Sequence, residues 1–243
     1  MRAILTYHSI DRSGSVISVE PEAFRRHIEW MVGHGVGVVD LEQLLQLDGS
    51  VNAIALTFDD GFANFAEHAW PVLKEHGLPA TLFVATAHAG GTNAWEAGGP
   101  LPVLPLLDWT ALARLAEEGL ALGSHSVTHA DLCRIEAAQL ADEVVRSAER
   151  IDSETGRSPT AFAYPYGSVD DRVAVAVADH YRSAVTTEFA IPGRDTERSR
   201  IPRLDAWYFR EQGRLEQFGT PGFERFVNLR RGLRRIRRMM LRG

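Results

Sequence analysis

The sequence predicts an α/β protein assembled from parallel βαβ units, and three observations lead there. Short apolar runs rich in β-branched residues alternate with amphipathic stretches whose apolar residues recur every three or four positions, as Leu140, Val144 and Val145 do. Glycines stand where those stretches stop, Gly77 after Glu75-His76 and Gly119 after Glu118. The 243 residues, 45% of them hydrophobic, suffice for one sizeable core, which suits a single α/β barrel as well as two small domains. Alternation of this kind fits both a closed barrel and an open doubly wound sheet.

Strands are expected at 3–7, 36–39, 53–58, 80–84, 120–124, 161–164, 183–186 and 201–204. Helices are expected at 22–32, 63–75, 110–118, 136–152 and 169–179. Residues 88–108, HAGGTNAWEAGGPLPVLPLLD, break the rhythm with glycine and proline and read as a long loop. Loops of that length inside a compact domain serve as lids or binding loops. No repeat or linker marks a boundary before the basic end, so 1–224 reads as one domain and 225–243 as a tail.

The net charge of -6 conceals an asymmetry. Residues 225–243, RFVNLRRGLRRIRRMMLRG, hold eight arginines and no acid, leaving 18 basic against 32 acidic side chains on the other 224 residues. The single cysteine, Cys133, excludes an intrachain disulfide, fits a reducing compartment and is expected to be a small buried hydrophobe. The first apolar run meets Tyr7-His8 before a signal-peptide core can form, and no run approaches the roughly 18 residues of a spanning helix. A cytoplasmic location is the expectation.

The unusual polar residues stand where strands end: Tyr7-His8, Asp59-Asp60, His125 and Tyr164-Pro165-Tyr166-Gly167. In parallel α/β barrels these ends open onto one face, where active sites gather. His125 and His129, four apart in HSVTH, face the same way in a helical turn or a compact loop. By themselves they are two surface histidines as readily as ligands. With a carboxylate from another strand end they become His₂Asp, a donor set that leaves positions open for water and substrate. The Asp59-Asp60 pair reads as a helix N-cap with an acidic neighbour, or as one metal ligand beside one free base. Without a cation two crowded carboxylates repel and one pKa rises.

TFDDG, HSVTH and FAYPYG, in that order, resemble the polysaccharide deacetylase family with its NodB-type domain. YHSI, GLPATLFV and RIPR add to the likeness, which covers roughly residues 3–205. The resemblance implies a distorted (β/α) barrel of parallel strands, a divalent metal, most often Zn²⁺, and hydrolysis of N-acetyl groups on sugars. It implies Asp59 as general base, Asp60, His125 and His129 as metal ligands, and the Tyr166 backbone N–H on the oxyanion. Two family features are missing. Ala163 and Tyr164 stand where many members place an arginine that orients the base, which leaves Arg200 or Arg203 of RIPR to substitute. A late Leu-x-His motif is also absent, and the last histidine, His180, lies in a helix-like segment. Some relatives are circularly permuted and open on a Tyr-His strand end, which makes His8 the candidate acid.

Trp95, Trp109 and Trp207 are candidates for sugar stacking, with core packing the expectation for Trp109, while His68, His76 and His88 read as exposed. An amide hydrolase acting on a small metabolite or cyclic amide, and a non-catalytic glycan-binding relative, are the competing functions. In the tail Leu229, Leu233, Ile236 and Met240 recur at three- and four-residue spacing among arginines, an amphipathic basic helix. Such a helix suits the inner surface of an anionic membrane, and with it a lipid-linked N-acetylated glycan as substrate. Docking on the acidic body of this chain or of a partner is the alternative. Nucleic acid is disfavoured because no reading motif accompanies the charge.

Overall fold

The computed structural model describes residues 1–240, the side chains of residues 237–239 excepted. Its strands are β1 (Arg2–Tyr7), β2 (Ser9–Ile10), β3 (Ser18–Val19), β4 (Gly37–Val38), β5 (Ala53–Phe58), β6 (Thr81–Val84), β7 (Ala121–Ser124), β8 (Ala161–Ala163), β9 (Ser183–Phe189) and β10 (Ile201–Asp205). All pairings in the main sheet are parallel. The order β1-β10-β9-β8-β7-β6-β5 returns to β1 through a six-residue ladder, Arg2↔Ala53 to Tyr7↔Phe58, so seven strands close a barrel. The closed form, and not the open sheet, is the one adopted. β4 pairs with Ala53 and Ile54 at the start of β5, and β6 with Thr57 and Phe58 at its end.

Among the described residues seven α-helices surround or plug the barrel: α1 (Pro21–Gly33), α2 (Leu41–Gln46), α3 (Trp70–Glu75), α4 (Trp109–Glu117), α5 (Ala137–Thr155), α6 (Asp171–Ala178) and α7 (Pro221–Met240). Asp40, Asp108 and Asp170 cap α2, α4 and α6 by accepting from Gln43, Ala111 and Val173 N–H at 2.8, 2.7 and 2.8 Å. The helix expected at 63–75 is divided. Pro71 has no N–H to offer the Glu67 carbonyl, and Trp70 N–H bonds back to Phe65 instead, so Phe65–Ala69 is a π-type turn ahead of α3. Helix α2, a further element, brings Leu41 and Leu44 under the barrel. There Arg2 donates to the carbonyls of Leu44 and Leu47 at 3.3 and 2.5 Å.

Strand alternation splits the core into layers. Ile4, Ala53, Ala55, Phe83, Ala161, Ala163, Val185 and Ile201 form the cluster inside the barrel, while Leu5, Ile54, Leu56 and Phe58 join the larger core beneath the helices. The interior mixes small alanines with one large ring. A Cβ on Gly123 would lie 2.4 Å from Phe83, so only glycine lets that ring cross the barrel. The same period of two carries upward: 4 and 6 on β1 with 8 just past its end, 53, 55 and 57 on β5 with 59 just past its end, 201 and 203 on β10. His8, Asp59 and Arg203 therefore arrive together at the C-terminal mouth.

Candidate active site

Asp59 is 2% exposed and is gripped by an arginine from inside the barrel. Arg203 Nη1 and Nη2 donate to its two carboxylate oxygens, each at 2.7 Å, while Nη1 and Nε also donate to Thr57 Oγ1 and the Thr186 carbonyl, both at 3.1 Å. Burial pushes the Asp59 carboxyl up, but the two-pronged guanidinium outweighs it and holds the group below the usual carboxylate range. His8 stands on the open side, its Nε2 3.8 Å from Asp59 Oδ2. Of the two arginines in RIPR, Arg203 is the one that reaches Asp59. Arg200 pairs at the surface with Asp171 and Glu197.

Asp60 turns away from its neighbour because its φ is +72°, followed by Gly61 at +84°. Its Oδ1 lies 3.4 Å from Nε2 of His125 and 3.4 Å from Nε2 of His129, and has no hydrogen-bond partner. His125 Nδ1 donates to the Ala163 carbonyl at 2.7 Å, which orients the ring so that Nε2 points at Asp60. The HSVTH segment is a compact loop, not a helix. Ser126 and His129 both have positive φ, 64° and 60°, and His129 N–H is held by Ser126 Oγ at 3.0 Å. Glu143 of α5 ties this loop down, accepting from Val127 N, Thr128 N and Thr128 Oγ1 at 2.8, 2.9 and 2.6 Å.

Glu143 escaped the sequence reading, although a signal existed. It shares the apolar face of α5 with Leu140, Val144 and Ile151, where a carboxylate needs a buried task. The electrostatics of the trio follow from its crowding. Burial raises the Asp60 carboxyl, but the facing imidazoles outweigh it and hold it far below its ordinary value. Burial disfavours the His125 cation, yet Asp60 and Asp59 raise its pKa, whereas burial dominates at His129 and lowers it.

Tyr166 completes the rim. Its φ is +58°, and Gly167 follows so close to β9 that a Cβ there would fall 2.0 Å from Thr187 Oγ1. Asp60, Ser126, His129 and Tyr166 are the non-glycine residues of positive φ among the described residues, and all four stand at this site. Each costs about 1–3 kcal/mol, a strain that concentrates where function demands a particular side-chain direction. The six residues expected at the site, His8, Asp59, Asp60, His125, His129 and Tyr166, all line one cleft of about 170 Å³.

The long 88–108 loop covers part of that cleft. It is pinned to the Asp60-Gly61 turn by Leu107 N–H to the Gly61 carbonyl at 2.8 Å, and is braced inside by Asn93, which donates to Pro102 O and accepts from Leu104 N–H. Trp95 lies flat on His129, ring centroids 4.4 Å apart and 19° between planes, so one of its faces is already taken. Trp109 begins α4 with Arg150 over its ring, and Trp207 stacks under Arg210 outside the cleft. His68 and His180 are exposed, His76 and His88 half-buried, and Cys133 is half-buried where full burial was expected.

Known proteins share this architecture. YxkH of Bacillus subtilis is 27% identical over 198 residues, which are 79% of this chain and 66% of that one. A poly-β-1,6-N-acetyl-D-glucosamine N-deacetylase of Staphylococcus epidermidis is 25% identical over 77% of this chain and 67% of its own. The crystal structure of BC0361, a polysaccharide deacetylase from Bacillus cereus, superposes with a TM-score of 0.69 at 25% identity, over 84% of this chain and 64% of that one. Deacetylase PplD of Streptococcus pyogenes, at 23% identity and a TM-score of 0.72, shares the fold over 84% of this chain and 91% of its own. This chain thus spans about two thirds of the length of YxkH and of BC0361. Residues 47–184 match the family described as Polysaccharide deacetylase. That match runs through all three motifs that meet around Asp60, and the chain belongs to the polysaccharide deacetylase family.

Proposed function

We propose that the chain is a divalent-metal-dependent hydrolase removing N-acetyl groups from an acetylated sugar or glycan. The Asp60 carboxylate carries this reading: buried, with Oδ1 lacking a hydrogen-bond partner and equidistant from two imidazole nitrogens. A buried oxygen in that state is costly unless a positive centre sits on it. The three donor atoms lie within 4.8 Å of one another, and donors on one tetrahedral zinc are separated by about 3.3 Å. The residues therefore fit the ion, with Asp60, His125 and His129 as its holders and Zn²⁺ as the proposed metal. When bound, such an ion supplies Lewis acidity to the acetyl carbonyl and makes water acidic near neutral pH.

The remaining chemistry falls to the chain. Asp59, kept ionised by Arg203, accepts the proton of the attacking water as general base. The Tyr166 backbone N–H donates to the carbonyl oxygen as it gains negative charge. His8, beside the base and open to the cleft, delivers a proton to the departing amine. Arg203 is a positioning residue, since it touches only Asp59 and the barrel interior. A lipid-linked glycan is the form of substrate that the basic helix α7 favours.

Acetate release from N-acetylated oligosaccharides tests the reading. Turnover confined to cyclic amides or small metabolites, with none on sugars, would overturn it. The substitution Arg203→Lys keeps a buried positive charge but loses the two-pronged grip, and is expected to lower kcat about 100-fold through misplacement of the base. Because Asp59 is then less strongly held in its ionised form, the acid limb of kcat/KM moves to higher pH. A purely structural arginine would lower the yield of folded enzyme and leave that limb in place.

A further inference from the structure

Helix α7 carries two stripes. Phe223, Val227, Arg230 and Arg234 recur at four-, three- and four-residue steps and face the barrel, while Leu229, Leu233, Ile236 and Met240 recur at the same steps on another side of the helix. The first stripe is docked. Phe223 and Val227 are in the core, Arg230 lies over the Tyr208 and Phe226 rings, Arg234 reaches Asp205 and the Thr187 carbonyl, and Arg231 beside it pairs with Glu188. The second stripe is bare: Leu229, Leu233, Ile236 and Met240 are 65, 51, 47 and 76% exposed. Four large apolar side chains in a row on one helix are an unpartnered face, not scattered surface hydrophobes.

We propose that this face docks on an anionic membrane surface, the helix lying along the headgroup region with its docked stripe holding the barrel against the lipid. The proposal deepens the glycan reading above by naming where the enzyme works, and rests on it only for the substrate. Charge selects the occupant. Arg225 and Arg235 are exposed on this helix, the sequence adds Arg237, Arg238 and Arg242, and the segment 225–243 holds no acid. Anionic lipid answers both the apolar stripe and the positive charge of the segment. A second copy of the helix would answer the stripe but set arginine against arginine. No helix among the described residues is long and apolar enough to cross a bilayer.

The contacts of the docked stripe give this position a consequence. Thr187 lines the catalytic cleft, and Glu188 and Asp205 are on the C-terminal halves of β9 and β10 at the same rim. The bilayer would therefore lie beside the cleft mouth, within reach of a sugar anchored in it.

Vesicle flotation of the full chain provides the test, using phosphatidylcholine vesicles with and without one quarter phosphatidylglycerol. Binding is expected to the anionic vesicles, to weaken with added salt, and to fall at least 10-fold in Leu233→Glu/Ile236→Glu. Acetate release from a soluble oligosaccharide should be unchanged in that variant, which shows it folded. Three results would overturn the proposal: no partition into anionic vesicles; equal loss of binding on salt addition with none from the double variant, which marks a general polyanion site; or a dimer in light scattering that the double variant dissociates. Flotation of the unmodified full chain without any acetate release from it would instead sink the hydrolytic reading and leave this one standing.

Discussion

Removal of the proposed divalent ion by a chelator is expected to abolish acetate release, and added Zn²⁺ to restore it. The variant Asp60→Asn is expected to behave like the stripped enzyme even with zinc present. Asparagine preserves shape but takes away the negative charge that lies 3.4 Å from each imidazole. Outer-shell partners of metal ligands are worth about 10–100-fold in affinity, and loss of the sole charged member of the proposed ligand set should exceed that. Metal content after dialysis, read by elemental analysis, separates this from misfolding: wild type retains close to one ion per chain and the variant retains none. A variant that keeps its metal and its activity would remove Asp60 from the ligand set, and with it the hydrolytic mechanism.

Asp59→Asn should give the opposite pattern at the metal. The expected loss is about 10²–10⁴-fold in kcat, the range for removing a positioned base, with bound metal unchanged because Asp59 faces Arg203 and not the imidazoles. A second effect accompanies it. Arg203 is fully buried, and a neutral amide leaves its charge uncompensated, a loss of about 3–5 kcal/mol for a buried pair broken on one side. Thermal unfolding should therefore shift downward in Asp59→Asn while the metal content holds. Full stability with abolished turnover would mean that Arg203 has another counter-charge. Full turnover would mean that the base lies elsewhere.

Glu143 and Arg203 illustrate different depths of legibility. Arg203 was one of two arginines in RIPR, and parity along β10 decides between them: 201 faces inward with the barrel cluster, so 203 does as well, whereas 200 faces out to Asp171. Such parity can be counted in the sequence once the strand is known to be part of a closed barrel. Glu143 needed the fold itself, because its three hydrogen bonds run to a loop about 15 residues away in sequence that approaches α5 only after β7 is in place. The π-type turn before α3 and the short helix α2 lay below what periodicity resolves, being too brief to show a repeating face.

Composition and periodicity by themselves determined the alternating α/β character, the strand-end placement of the polar motifs and the basic amphipathic end. These are local properties, legible because backbone geometry imposes periods of two and 3.6 on any apolar face. Tertiary structure alone decided that the sheet closes, since that depends on the ladder between β1 and β5, fifty residues apart in the chain. Closure is also what brings His8, Asp59 and Arg203 to the ends of adjacent strands. Which side of α7 remains bare was decided there too, by the barrel claiming one of its two apolar stripes.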